Sequence, residues 1–133
     1  MTETARPEPA RRELGAALRE LLDAVVQTDA DDAELARLAR DVDELRSRLQ
    51  QVSRRAVLLA PSEIHGELSL VGGASHPVGP QLRFASTAEG SVGTTTLRPV
   101  FQGAPGLAHG GVLGMLLDHA MGHARLGADE ACE

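Results

Sequence analysis

The sequence predicts an α+β fold: an N-terminal helical hairpin, then a β-hairpin, then one buried helix. Three observations carry this. Apolar residues recur at three- and four-residue spacing through residues 10–55. Alternating and β-branched residues fill 81–100. A dense apolar run of helical length occupies residues 110–126.

The first helix is expected over residues 10–27. Leu14, Ala17, Leu18, Leu21, Leu22 and Val25 form one apolar stripe. Thr28-Asp29-Ala30-Asp31-Asp32 interrupts it. Asp31 followed by Glu34 resembles a capping box, so a second helix starts there. Its Leu35, Leu38, Val42, Leu45, Leu49 and Val52 alternate spacings of three and four, an a/d heptad seam flanked by Arg, Asp and Glu. A helical hairpin packed on itself or on the domain after it fits this pattern, and so does a dimerising coiled coil. The resulting organisation is a disordered N-terminus (1–9), a helical hairpin or coiled-coil arm (10–55), a linker and loop (56–80) and a folded unit (81–133).

The composition shifts near residue 56: every glycine but Gly15 lies beyond it. Pro61, Gly66, Gly72-Gly73, Pro77, Gly79 and Pro80 mark a loop-rich stretch. Gln81 to Ser86 then alternates, with Leu82 and Phe84 on one face. Glu89-Gly90 marks a turn, and Val92 to Val100 reads as the second strand, ended by Pro99 or lying at an edge. Gln102 to Ala108 is a Gly/Pro loop. In the last helix Val112, Leu113, Met115, Leu116, Leu117, Ala120, Met121 and Ala124 cover nearly the whole circumference, the mark of a buried helix. Asp118 stands in its middle. An unpaired carboxylate buried there costs several kcal/mol unless it is neutralised or partnered, which makes it a functional candidate.

Composition narrows the chemistry. The chain has 133 residues, with 13 basic residues against 19 acidic and a net charge of −6. Every base is Arg, which excludes a Schiff-base lysine and a P-loop lysine. Phe84 and Phe101 are the only aromatic residues besides histidine, so base-stacking nucleic-acid modules do not fit, and the net charge argues against binding a phosphate backbone. A single Cys132 forms neither an intrachain disulfide nor a cysteine metal cage. The polar start has no signal-peptide core, and no run reaches the roughly 20 apolar residues of a membrane span, so a cytoplasmic protein with no membrane partner is expected.

Phe101-Gln102-Gly103-Ala104-Pro105-Gly106-Leu107-Ala108-His109-Gly110-Gly111 leads into the apolar helix, with Asp118 nine residues after His109. This arrangement resembles the hotdog-fold acyl-CoA thioesterases, closest to the PaaI-like type. His76-Pro77 and Pro80 before Leu82-Arg83-Phe84 also resemble the entry to the first strand of that group. The resemblance covers about residues 66–127. It implies a partial hotdog fold that hydrolyses an acyl-CoA without cofactor or metal. Orphan N–H groups at the helix start would meet the developing oxyanion: Gly110, with Gly111 a second candidate. Asp118 would be general base or nucleophile. His109 would fix the loop or position the carbonyl, while Gly111, Gln102 and Gly106 would bind substrate.

Gly110 and Asp118 are eight residues apart, about 12 Å along a helix axis, so one thioester carbon cannot lie about 3 Å from both within one chain. A homo-oligomer, dimer or tetramer, with sites shared between protomers is therefore implied. Two departures stand out. The position six before His109, an amide in several relatives, is Gly103, with Gln102 beside it. Only polar Gly127 to Glu133 follows the helix, so the chain reads as a hotdog domain truncated after its central helix. A non-catalytic remnant and an interaction module built on the heptad helix stay open as alternatives.

Other residues carry weaker expectations. His119 and His123 share a helix face but lack a third metal ligand. Arg83 and Arg98 either meet coenzyme A phosphates or are exposed strand residues. His65 and His76 read as loop residues, and Gly114 and Gly122 as close-approach positions.

Overall fold

The computed structural model describes residues 9–52 and 66–130, with side chains to residue 125. The expected disordered start (1–8), the stretch 53–65 with Pro61 and His65, and Cys132 lie outside the described residues. Helix α1 spans Pro9–Gln27, α2 Asp32–Val52 and α3 Gly110–Glu130. Strands β1 (Arg83–Thr87) and β2 (Gly90–Thr94) form an antiparallel hairpin. A 3₁₀ turn at Pro99–Phe101 leads to the loop before α3.

The α1–α2 junction obeys the local chemistry. The Thr28 hydroxyl accepts the Ala30 N–H at 3.2 Å, and the Asp31 carboxylate accepts the Glu34 N–H at 2.8 Å. The second half of the capping box is not made, because Glu34 accepts from Arg37 Nε at 2.7 Å instead.

The strands are shorter than expected. β1 begins two residues late because Gln81 has φ 59°, a left-handed conformation that breaks extended backbone. β2 stops at Thr94 rather than Val100, since Arg98 turns toward α1 and Pro99 starts the 3₁₀ turn. Phe84 faces Gly93, where a side chain would press on the ring. The bare strand surface lets that ring meet α3: His123 stacks on it at 3.8 Å and 9°, and His119 lies 6.0 Å away.

The buried centre lies outside the hairpin. Ser69, Val71, Ser75, Leu82, Phe101 and Arg19 are among its buried members. Residues 66–82 fold back on themselves: Gly73 N–H donates to Ser69 O, Ser75 N–H to Glu67 O and Leu82 N–H to Val71 O. Gly79 is required there, since a Cβ would fall 1.7 Å from the Leu70 carbonyl oxygen. Helix α1 docks onto this stretch through Gly15, where a Cβ would sit 2.6 Å from Ser75 O. Arg12 pairs with Glu67, and Arg19 Nη1 donates to Ala74 O and His76 O at 3.2 and 2.6 Å.

Arg98 closes the arrangement. Its Nη1 donates to Arg19 O at 2.7 Å and approaches Asp23 Oδ2 at 3.4 Å, its Nη2 donates to Val78 O at 2.9 Å, and its guanidinium lies 5.2 Å over Phe101. Neither expectation for Arg98 survives: it is half-buried, and its donors are spent inside the fold.

Two corrections concern α3. The helix runs on to Glu130, and it is not buried all round. Val112, Met115, Leu116 and His119 are half-buried, but Leu117 and Met121 are 65% and 66% exposed and Asp118 is exposed. Two strands cover one stripe of a helix and no more.

This packing can be tested at two residues. Arg98→Ala should cost about 2 kcal/mol in urea unfolding, and Arg98→Lys should recover less than half, since one ammonium cannot span three acceptors. Burial and the nearby Arg19 charge hold the His76 imidazole below its ordinary 6.5. Its Nδ1 accepts the Val78 and Gly79 N–H groups, which the cation cannot do. The neutral form thus belongs to the fold: its stability is complete above about pH 6.5 and is lost as pH falls through the lower folded value. The unfolding midpoint should fall between about pH 7 and pH 5, more steeply in the wild type than in His76→Asn, whose amide oxygen keeps the acceptor.

Candidate functional site

The loop before α3 is a closed hairpin. Gln102 and Ala108 form an isolated antiparallel bridge, Gly103 N–H donates to Leu107 O at 2.8 Å, and His109 N–H donates to Phe101 O at 2.9 Å. At the tip, Leu107 N–H donates to Ala104 O, with Pro105 and Gly106 between and Gly106 at φ 76°. This is a type II turn, which takes proline first and needs glycine second. Turn geometry alone accounts for Gly106.

Gly103 has an equally local cause. A Cβ there would lie 2.9 Å from His109 Cα and 3.2 Å from His109 N. The loop passes too close to the helix entry for a side chain to fit without a shift, which accounts for glycine in place of the amide that the resemblance leads one to expect. Gln102 beside it is exposed, with its N–H given to Pro99 O at 3.0 Å.

His109 is the N-cap of α3. Its carbonyl accepts from Val112 and Leu113, and its Nδ1 accepts the Gly111 N–H at 3.0 Å. An accepting Nδ1 leaves the proton of a neutral ring on Nε2. A side chain at 111 would sit 3.2 Å from Nδ1, which favours glycine there. The cap divides the two glycines. The Gly111 N–H is engaged, while the Gly110 N–H has no partner among the described residues and nothing within 4 Å of its Cβ direction. An unused N–H at the first position of a long helix, supported by the dipole, is an anion donor. His109, Gly110 and Gly111 are exposed.

Asp118 lies on the same continuous helix, so the axial separation of about 12 Å from Gly110 holds. It shares the uncovered side with Leu117 and Met121. The structure thus brings His109, Gly110, Gly111 and Gln102 together at one helix end, puts Gly106 at the tip of the loop, and leaves Asp118 two turns away. Among the described residues no group of three or more His, Cys, Asp or Glu could hold a metal ion. His119 and His123 are committed to Phe84. Arg83 lines a separate cleft of about 450 Å³ with Arg12, Glu67 and Gln81, away from the helix start.

Sequence reasoning missed the imidazole cap. The signal was present: a residue with a side-chain acceptor immediately before a glycine pair and an apolar helix, in the place Ser or Asp usually takes.

No family model and no curated protein sequence matches the chain. Among solved structures, the crystal structure of a thioesterase superfamily protein is similar to it at 29% identity with a TM-score of 0.75, over 90% of this chain. The likeness supports a place in the thioesterase superfamily. It also bears out the expected fold class, α+β with part of a hotdog fold. The chain spans 65% of the length of that protein. No helix among the described residues is long and apolar enough to cross a membrane.

The cap makes a stability prediction. His109→Ala should cost about 1 kcal/mol in denaturant unfolding, whereas His109→Asn should stay within a few tenths of wild type, because Asn is itself a strong N-cap. Equal losses for both would remove the capping role.

Proposed function

We propose that the chain is a PaaI-like acyl-CoA thioesterase subunit, acting in the cytoplasm as a homo-dimer or tetramer. Water adds to the thioester carbonyl, the C–S bond breaks, and coenzyme A leaves as its protonated thiol beside a free acid. Residues 81–133 carry the hydrolase unit and 10–55 the helical hairpin. The observation that supports this best is the free Gly110 N–H at the start of α3, beside a capped Gly111, in a fold shared with a thioesterase superfamily protein.

In this reading the Gly110 N–H stabilises the oxyanion that forms only in the transition state. His109 holds the helix start in shape through Gly111, and its Nε2–H faces the bound carbonyl. Gln102 and the 102–108 loop contact the substrate near the thioester. Asp118 activates water as general base, or attacks as nucleophile through an anhydride. Because Gly110 and Asp118 stand about 12 Å apart on one rigid helix, each site combines Gly110 of one protomer with Asp118 of another. The uncovered side of α3 with Leu117 and Met121 gives that second protomer a surface to meet.

Turnover of a panel of acyl-CoA substrates tests this. Asp118→Asn should lower kcat about 10²–10⁴-fold. Gly110→Pro deletes the donor N–H at a helix position that accepts proline, and should lower kcat about 10²–10³-fold with the helix intact. Mixed oligomers of the two inactive variants should regain activity, since one site in each mixed pair has both groups. Unchanged turnover in Asp118→Asn, or none in folded, oligomeric wild type, would falsify the reading; the second result would favour a non-catalytic protein.

A further inference from the structure

Among the described residues most of the heptad seam of α2 has no cover, and Leu45 alone of it is half-buried. Leu35, Leu38, Val42 and Leu49 are 40–47% exposed and Val52 is 79% exposed, a continuous apolar stripe on a 21-residue helix. Helix α1 does not close it. Leu18 reaches a shallow groove beside Val42, Leu45 and Leu49, and that groove is bounded by Arg46 and Gln50. Helix α1 therefore flanks the seam on its Arg46 side and leaves the other flank open. The open flank carries Glu34, Asp41 and Arg48, one per heptad. Glu34 is held by Arg37, while Asp41 and Arg48 are exposed and have no charged partner among the described residues.

We propose that this seam binds the α2 helix of a second copy of the chain, running antiparallel. Charge selects both occupant and direction. With the helices antiparallel, Val42 layers against Leu45 of the second copy and Leu38 against its Leu49, and each Asp41 falls beside the other copy's Arg48. Symmetry forms that ion pair twice. A parallel pair would instead aim Asp41 at Arg46, whose guanidinium already donates to Asp43 and Gln50 and which lies on the side flanked by α1. Both α1 helices then lie on the Arg46 face of the α2 pair, opposite the Asp41–Arg48 contacts, giving a four-helix assembly. This interface is separate from any contact made by α3 and does not depend on hydrolysis.

Sedimentation equilibrium of the full chain at low salt tests it. Asp41→Arg and Arg48→Asp each place two like-charge contacts across the antiparallel pair, and each should weaken association about tenfold or more. Mixing the two variants in equal amounts should restore wild-type association, because each supplies the charge the other lacks. Val42→Asp should halve the number of subunits per particle, whatever other contacts exist, with helicity by circular dichroism unchanged. An undiminished subunit number in Val42→Asp would overturn the interface. Weakening by Asp41→Arg but not by Arg48→Asp would overturn the antiparallel direction.

Discussion

The fold depends on the Arg98 guanidinium. It joins three segments far apart in sequence, reaching the backbone of α1 at Arg19, the 66–82 stretch at Val78 and the face of Phe101. Phe101 is among the few buried apolar side chains, and its carbonyl accepts the His109 N–H. His109 in turn caps α3 through Gly111. One chain of contacts thus runs from α1 to the start of the last helix. Displacing Arg98 would loosen the entry angle of α3 and, with it, the aim of the Gly110 N–H. Arg suits the place because a planar fork meets several carbonyls while its face lies on a ring.

Such a polar clamp fits a chain that buries few of its apolar side chains. Among the described residues Val71, Leu82 and Phe101 are the buried hydrophobic ones, beside buried Ser69, Ser75 and Arg19. Backbone-to-backbone approach at Gly15, Gly73 and Gly79 replaces side-chain packing, and hydrogen bonds to carbonyls replace aromatic contacts. The Arg12–Glu67 pair adds to this at the surface, where the guanidinium and Ser75 hold the Glu67 carboxyl below its ordinary value. The apolar residues that a larger core would bury lie outside, on α2 and on α3.

The sequence was legible wherever one local interaction decides the outcome. Helical spacing located α1 and α2, Asp31 marked the start of α2, and Glu89-Gly90 marked the hairpin turn. The helix start at Gly110 was readable from the glycine pair and the apolar run. What could not be read was set by contacts distant in the chain. Gln81 leaves extended geometry within a packed turn, and Arg98 ends β2 by turning toward a helix 79 residues earlier. The expectation that α3 is buried all round rests on the spread of apolar residues about the helix axis. Burial needs a partner surface, and two short strands supply one stripe of it. At the site, the division of labour between Gly110 and Gly111 was hidden because it depends on which ring nitrogen of His109 faces the helix.

These uncovered faces give the proposed chemistry a physical logic. A helix fixes the distance between two of its residues, so Gly110 and Asp118 cannot approach within a chain by any side-chain motion. Catalysis on this reading must then be a property of assembled copies. In the proposed α2 pairing, copies are held together by a different helix, one that carries no catalytic group. Separating the two tasks has a consequence for sequence: α3 can keep glycine, histidine and an exposed carboxylate where a purely structural interface would favour apolar residues. Affinity between copies can rest on the leucine-rich seam, while the geometry of the α3 contact remains free to be set by the reaction.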